Sequence, residues 1–345
     1  FNGRLFPHKT AFIIDYLKTR YNFTSTLDVT DNIINFDSVT VNDEGGNQAQ
    51  VNGHLHFHSF KNIDYSFNIN AQKLKSLNTS GFDNNIYYGE AFTSGPVSIQ
   101  GNTQTKNLNI DASLKTENNT LINLPIGQSG KSQKAQFITF VNGKQTENQE
   151  EKQKLFNTNL SGMDLDFDLQ ATPQAQTRLI FDPDFRDIIE ASGRGNLNME
   201  VNNGNFRIYG DYIIEDGTYF FSLKDVINKK FEIQQGSQIV WNGKPQDADI
   251  NVTAVYSLRT SLNNLFMDTT EYYNQRIPVD CKIHLTDKLV NPSINFEIDL
   301  PTADESIVAR VNGAINTKEE LNKQFLSLLV LNTFMPSQQY LAGQP

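Results

Sequence analysis

From Gly193 to Tyr256, apolar side chains return at every second position, and that period decides what the chain can become. The runs are Leu197, Met199, Val201; Phe206, Ile208, Tyr212, Ile214; Tyr219, Phe221, Leu223; Phe231, Ile233; Ile239, Trp241; and Ile250, Val252, Ala254, Tyr256. Asn203-Gly204, Asp216-Gly217, Gly236-Ser237 and Asn242-Gly243 with Pro245 stand between them. Period two with such punctuation predicts consecutive antiparallel hairpins. Side chains alternate faces along a strand, so each strand shows one apolar face and one of Asn, Arg, Glu, Asp and Gln. Function is therefore sought on a broad apolar face, not in a cluster of reactive groups.

With 345 residues the chain has room for two average domains or one long all-β body. It opens at Phe1 without a methionine or a signal sequence and is expected to be an excerpt of a longer protein. Only 38% of residues are hydrophobic, yet there are 24 Phe and 12 Tyr, the composition of half-buried strands with large inward residues. A formal charge of −10 and a pI near 5.0 exclude nucleic acid as a partner, because that binding is driven by Lys and Arg. They also argue against docking on anionic lipid by charge alone. A single Cys excludes an internal disulfide framework. No run reaches the roughly 18 to 20 apolar residues that cross a bilayer, so a membrane anchor is expected outside this sequence.

Taken in order, Thr10 to Arg20 predicts a short helix near the N-terminus, since Phe12 with Tyr16 and Ile13 with Leu17 are i,i+4 pairs. Period two follows at Leu27, Val29, Ile34, Phe36, Val39, Val41 and from Tyr65 to Ala71, with a turn at Asp43 to Asn47. His54, His56 and His58 share one strand face and have the donor chemistry for zinc or copper. Alternate strand residues lie about 6.6 Å apart, however. With no carboxylate evident to complete a shell, the expectation is an exposed polar face and no metal. Tyr88 to Ile99 and Tyr209 to Phe221 form a weak internal repeat: Tyr-Gly-acid, a short apolar stretch, Gly, then an apolar strand. Glu117 to Ser161 breaks the pattern, and its polar part near 142–155 reads as an excursion and an internal boundary.

Met163, Leu165, Phe167 and Leu169 alternate with Asp164, Asp166 and Asp168; the acids read as a soluble outer face, with a calcium ladder as the sharper alternative. Phe185 to Ala191 predicts a helical turn after Pro183. Gly193-Arg194-Gly195 leads into a strand, where phosphate cradling needs a helix. Leu262 to Tyr273 is looser. Val279, Cys281, Ile283 and Leu285 predict a strand with Cys281 as a packing residue, and Ile294, Phe296, Ile298 and Leu300 predict another. Thr317 to Glu320 is a capping box opening a terminal helix that runs to Phe334 before Pro336. No nucleophile–base pair, phosphate loop or cofactor motif is present, so no catalytic residue is assigned and an enzyme is not expected.

The succession Gly193-Arg194-Gly195-Asn196-Leu197, Tyr209-Gly210-Asp211-Tyr212, Asp216-Gly217-Thr218-Tyr219, Lys230-Phe231-Glu232-Ile233, Trp241-Asn242-Gly243-Lys244-Pro245 and Ala248-Asp249-Ile250 resembles the C-terminal domain of the TamB family. These are translocation and assembly module proteins related to AsmA-like, bridge-like lipid-transfer proteins. Pro292 with Phe296 and the helix around Phe325-Leu326-Ser327-Leu328-Leu329 add to the likeness. The Thr10 segment, the Gly53 strand and the Tyr88-Gly89 unit resemble Bacteroidetes-type relatives. The resemblance implies an all-β, elongated, mainly antiparallel β-taco: an open U-shaped groove with a hydrophobic lumen. It implies upstream groove repeats over 1–160 and the C-terminal-type domain over 161–345, ending in the apolar helix 317–334.

Such proteins span the periplasm, anchored in the inner membrane by a segment outside this sequence. They are implicated in phospholipid transport to the outer membrane, or in outer-membrane protein assembly and secretion with a barrel of the TamA/BamA type. The groove lining is then expected at Leu165, Phe167, Leu197, Met199, Phe206, Ile208, Tyr212, Ile214, Tyr219, Phe221, Phe231, Ile233, Ile239, Trp241, Ile250, Val252, Tyr256, Val279, Cys281, Ile283, Ile294, Phe296 and Ile298. Charged substitutions at Phe231 or Val252 are expected to block transport without unfolding the sheet. Docking of the barrel is expected at Leu321, Phe325, Leu328, Leu329 and Phe334.

Overall fold

The alternation becomes a single ladder. The computed structural model describes residues 2–8, 10–83, 87–126, 162–182, 187–202, 204–223 and 227–341. In chain order the strands are β1 (Gly3–Leu5), β2 (Thr10–Ile14), β3 (Thr19–Phe23), β4 (Leu27–Thr30), β5 (Ile33–Asp43), β6 (Gln48–Ser59), β7 (Asn62–Thr79) and β8 (Tyr88–Asn102). Next come β9 (Asn107–Thr116), β10 (Leu121–Pro125), β11 (Met163–Ala171), β12 (Gln176–Asp182), β13 (Asp187–Asn202) and β14 (Asn205–Leu223). The last are β15 (Ile227–Ile233), β16 (Gln238–Gly243), β17 (Asp249–Thr260), β18 (Ile277–Lys288) and β19 (Asn291–Asp299). Among the described residues these form one 19-stranded sheet.

Several long strands each face a pair of short strands laid end to end. The first half of β14 pairs with β16 and its second half with β15. β8 holds β10 and β9 in the same way, and β5 holds β4 and β3. The internal repeat marks the strands β8 and β14, each followed by two short strands. Its glycines Gly89 and Gly210 sit at φ 142° and 119°, where a Cβ would lie 2.1 Å from Leu121 O and 2.0 Å from Asn196 O. The strand breaks and neighbouring bulges form a crease. At it, hydroxyls take up backbone groups that leave the ladder. Thr116 Oγ1 accepts from Thr172 N (2.9 Å), Thr120 Oγ1 accepts from Phe92 N (3.0 Å), and Ser237 Oγ donates to Gln234 O (2.7 Å).

All neighbours are antiparallel except at one seam, where β9 runs parallel to β11 and β10 to β12. A parallel pair cannot be joined by a tight turn. The polar excursion near 142–155 is the link across this seam and lies outside the described residues. β10 falls within the stretch read as patternless, because its five residues are too short to show a period.

Three local expectations are corrected. Thr10 to Arg20 is the β2–β3 hairpin, turning through Lys18 at φ 53°. An eleven-residue helix is marginal on its own, whereas Thr10, Ile13, Ile14 and Thr19 favour a strand. The Phe12 ring also packs across the hairpin on Tyr21 (5.5 Å) and Phe23 (6.2 Å). Residues 187–191 are strand rather than helical turn, and 183–186 lie outside the described residues. Asp216-Gly217 is no hairpin turn but the crease inside β14, with Glu215 as the extra residue of a bulge.

The sheet curls. Phe221 on β14 and Phe296 on β19 are four pairings apart, about 19 Å along a flat sheet, yet their ring centroids are 6.5 Å apart. At the other end Tyr21 Oη donates to Lys75 O (2.7 Å), Lys75 N donates to Asp43 Oδ2 (2.9 Å) and Asn78 N to Leu17 O (2.8 Å), folding β3 over β7. The described α-helices all follow Thr260: α1 (Asn263–Phe266), α2 (Glu271–Asn274), α3 (Glu305–Ala314), α4 (Lys318–Leu331) and α5 (Gln338–Leu341). Thr317 caps α4, its Oγ1 accepting from Glu320 N at 3.2 Å. The helix stops at Asn332 in the left-handed conformation, before Phe334 and Pro336 are reached.

Candidate functional site

Directly opposed residues in a ladder share a face, so the register shows which side chains form continuous rows. One row is Val51, Ile69, Val97, Ala112, Phe167, Met199, Ile208. Beside it run Phe67, Ile99, Ile110, Leu165, Val201, Phe206, and then Leu114, Leu169, Leu197. These rows cross the strands and pass through the parallel seam without a change of face. All of their members are half-buried except Val201, which is 2% exposed. On the opposite face Asp111, Asp166, Glu200 and Arg207 form a charged row. Asn198 Nδ2 bridges Asp166 (2.9 Å) and Asp168 (3.1 Å) there, which gives the aspartates of β11 the outer position expected of them.

Toward the C-terminus the same inward face is covered. Helix α4 lies on it with Phe325, Leu328 and Leu329 fully buried. The Phe325 ring stacks on Phe296 at 4.2 Å and on Phe231 at 6.5 Å. The chain after α4 folds back along it: Gln324 Nε2 donates to Met335 O (2.9 Å), Gln324 Oε1 accepts from Met335 N (2.9 Å), and Ser327 Oγ donates to Thr333 O (2.6 Å). Arg310 of α3 stacks over Phe266 (4.4 Å) and Tyr273 (4.7 Å) and donates to the hydroxyls of Tyr273 and Tyr340, tying α3 to α1, α2 and α5. Helix α3 was not foreseen; its signal is Ile307, Val308, Val311 and Ala314 at helical spacing after Asp304.

The expected lining therefore divides. Leu165, Phe167, Leu197, Met199, Phe206, Ile208, Tyr256 and Ile294 are half-buried. Tyr212, Ile214, Tyr219, Phe221, Phe231, Ile233, Ile239, Trp241, Ile250, Val252, Val279, Cys281, Ile283, Phe296 and Ile298 are buried in one core with the helices. Phe231 and Val252 are thus packing residues, and a charge there would sit in a sealed core. Burial pushes the Cys281 thiol far up, with the Asp280 charge adding to it, so Cys281 is a packing residue without nucleophilic character. The expected docking residues divide in the same way. Phe325, Leu328, Leu329 and Phe334 face their own sheet and Leu321 is half-buried, while Val330, Leu331 and Met335 are the exposed apolar residues of this end. The rows on β7, β8 and β9 escaped the lining set, although Leu108, Ile110, Ala112 and Leu114 alternate plainly in the sequence.

A curled β-sheet around an apolar lane, partly roofed by its own helices, defines a groove-forming β-taco protein. The chain belongs to the TamB family, for a model of the TamB C-terminal domain matches residues 37–344. No curated protein matches it. The family places it among envelope-spanning proteins of outer-membrane assembly and lipid transport that work with a TamA-type partner and are not enzymes. Among the described residues no helix is long and apolar enough to cross a membrane.

Proposed function

We propose that the uncovered lane between β6 and β14 holds phospholipid acyl chains on their way between the inner and outer membranes. The observation that carries this reading is the half-buried state of the rows through Ile110, Phe167 and Met199. Among the described residues, their inward side chains meet no second layer of the kind that seals Phe231. Six pairings separate Val51 from Ile208, about 29 Å of lane, close to the ~30 Å core that two opposed acyl chains fill in a bilayer. Moving one chain into water costs about 0.8 kcal/mol per methylene, on the order of 10 kcal/mol in all. A continuous apolar track removes that barrier, and because such contact is non-directional it lets varied tails slide.

The test is photo-crosslinking from single positions in cells. Probes at Ile110, Phe167 and Met199 should yield phospholipid adducts, and probes at Phe231, Val252 and the outward Asp166 should not. Absence of adducts from the first three, or equal labelling at Asp166, would refute the lane.

A second reading, docking of a TamA/BamA-type barrel during outer-membrane protein assembly, is favoured by β19. It pairs with β18 alone among the described residues, leaving its outer edge for strand addition. Disulfide trapping between cysteines at Ser293 or Asn295 and the barrel's strands checks it. Failure to trap at either position would remove the edge from consideration.

A further inference from the structure

On the outer face, away from the lane, β6 carries His54, His56 and His58. Two features of the fold regroup them. The β6–β7 register slips between Phe57 and Ser59, leaving His58 as the extra residue of a bulge, and the rings of His56 and His58 lie 4.1 Å apart. Across the ladder, Asp64 of β7 stands directly opposite His56, and its Oδ2 is 2.5 Å from His58 Nε2. One donor atom from each of the three residues falls within 4.8 Å of the others. His54 drops out, opposite Ser66.

The carboxylate is also held from behind. Asn102 Nδ2 donates to Asp64 Oδ1 (2.6 Å) and to Asn62 Oδ1 (2.8 Å). Asn102 Oδ1 in turn accepts from Gln104 N (2.8 Å) and Thr105 N (2.9 Å). One oxygen of Asp64 is therefore fixed by an amide that is itself fixed, while the other meets His58 Nε2 and would exchange that hydrogen bond for an ion shared with the imidazole. Outer-shell partners of this kind orient metal-binding groups.

We propose that His56, His58 and Asp64 form a surface site for a divalent transition-metal ion, with Zn²⁺ the best fit. Two imidazoles and a carboxylate match the donors zinc prefers, and exposure of the site leaves a fourth position for water. Mg²⁺ and Ca²⁺ take oxygen donors and are disfavoured. A tetrahedral zinc spaces its ligand atoms about 3.3 Å apart, inside the range these donors already span, so small side-chain rotations complete the site. The ion would bridge β6 and β7 beside their turn at Phe60-Lys61. His284 supplies an internal control: it meets Glu297 (2.9 Å) and the Thr253 hydroxyl (3.1 Å) but, among the described residues, has no third metal-binding side chain.

The test is calorimetric titration of the tag-free chain with ZnCl₂ in a non-chelating buffer, repeated with Co²⁺ for its absorption spectrum. One ion per chain is expected. His56→Ala, His58→Ala and Asp64→Asn should each weaken binding at least tenfold and abolish the Co²⁺ band, Asn102→Ala should weaken it less, and His54→Ala and His284→Ala should bind as the parent does. The thermal midpoint should rise with Zn²⁺ in the parent and not in His58→Ala. His58 is exposed, so that variant should fold; a far-UV spectrum without metal verifies it. No saturable uptake by the parent, or undiminished uptake by folded His58→Ala, would overturn the site.

Discussion

Phe167 on β11 and Phe231 on β15 stand on the same inward face of one sheet, in strands of the same period, and end in different environments. Phe167 is half-buried in the open lane, whereas Phe231 is wholly enclosed beneath Phe325. The strands do not make that difference; the helices that follow Thr260 do. An apolar strand face is a potential core everywhere, and it becomes one only where a second layer arrives to cover it.

The largest expected effect tests the covered end. Phe325→Ala opens a cavity under α4 and should cost about 3–5 kcal/mol, seen as loss of hydrogen-exchange protection in α4 and β15. Phe167→Ala, at a position that is only partly buried, should cost about 1 kcal/mol, less than full burial of such a side chain is worth. If the two cost the same, the contrast between roofed and open segments fails. Thr317→Ala removes the cap of α4 and should cost about 1 kcal/mol, with earlier fraying of the first turn and easier entry of an apolar fluorescent probe beneath the helix.

The smallest effect concerns the curled N-terminal end and appears only in acid. Burial raises the carboxyl of Asp43, but hydrogen bonds from the Asn47 side chain and the backbone of Lys75, Asn47 and Gly45 outweigh it and hold the group below the ordinary carboxylate value. A depressed pKa stabilises the fold above the unfolded value and loses that contribution as pH falls through the folded one. Exchange protection around Asp43 and Lys75 should therefore weaken below about pH 4, while α4 keeps its own. Asp43→Asn should lose that pH dependence.

Much of this was legible in the residues. The inward and outward faces of β11, β13, β14, β17, β18 and β19 follow from alternation, and the Thr317 cap from its spacing. What escaped is non-local. The His56, His58 and Asp64 grouping needs a bulge and a cross-strand partner, neither visible from one strand. The β2–β3 hairpin looked helical because Phe12–Tyr16 and Ile13–Leu17 also fit an i,i+4 pattern. The packing of Phe12 on Tyr21 and Phe23 settles it, and that is a contact between strands. The sealing of Phe231 depends on Phe325, almost a hundred positions away in the chain.

The seam at β9/β11 and β10/β12 has one more consequence. Elsewhere paired strands run antiparallel, but here they run in the same direction, matched over eight and five positions and joined as well by the Thr116–Thr172 contact. The floor of the proposed lane is thus held at midspan by main-chain hydrogen bonds, and whatever loosens them divides the apolar rows in two.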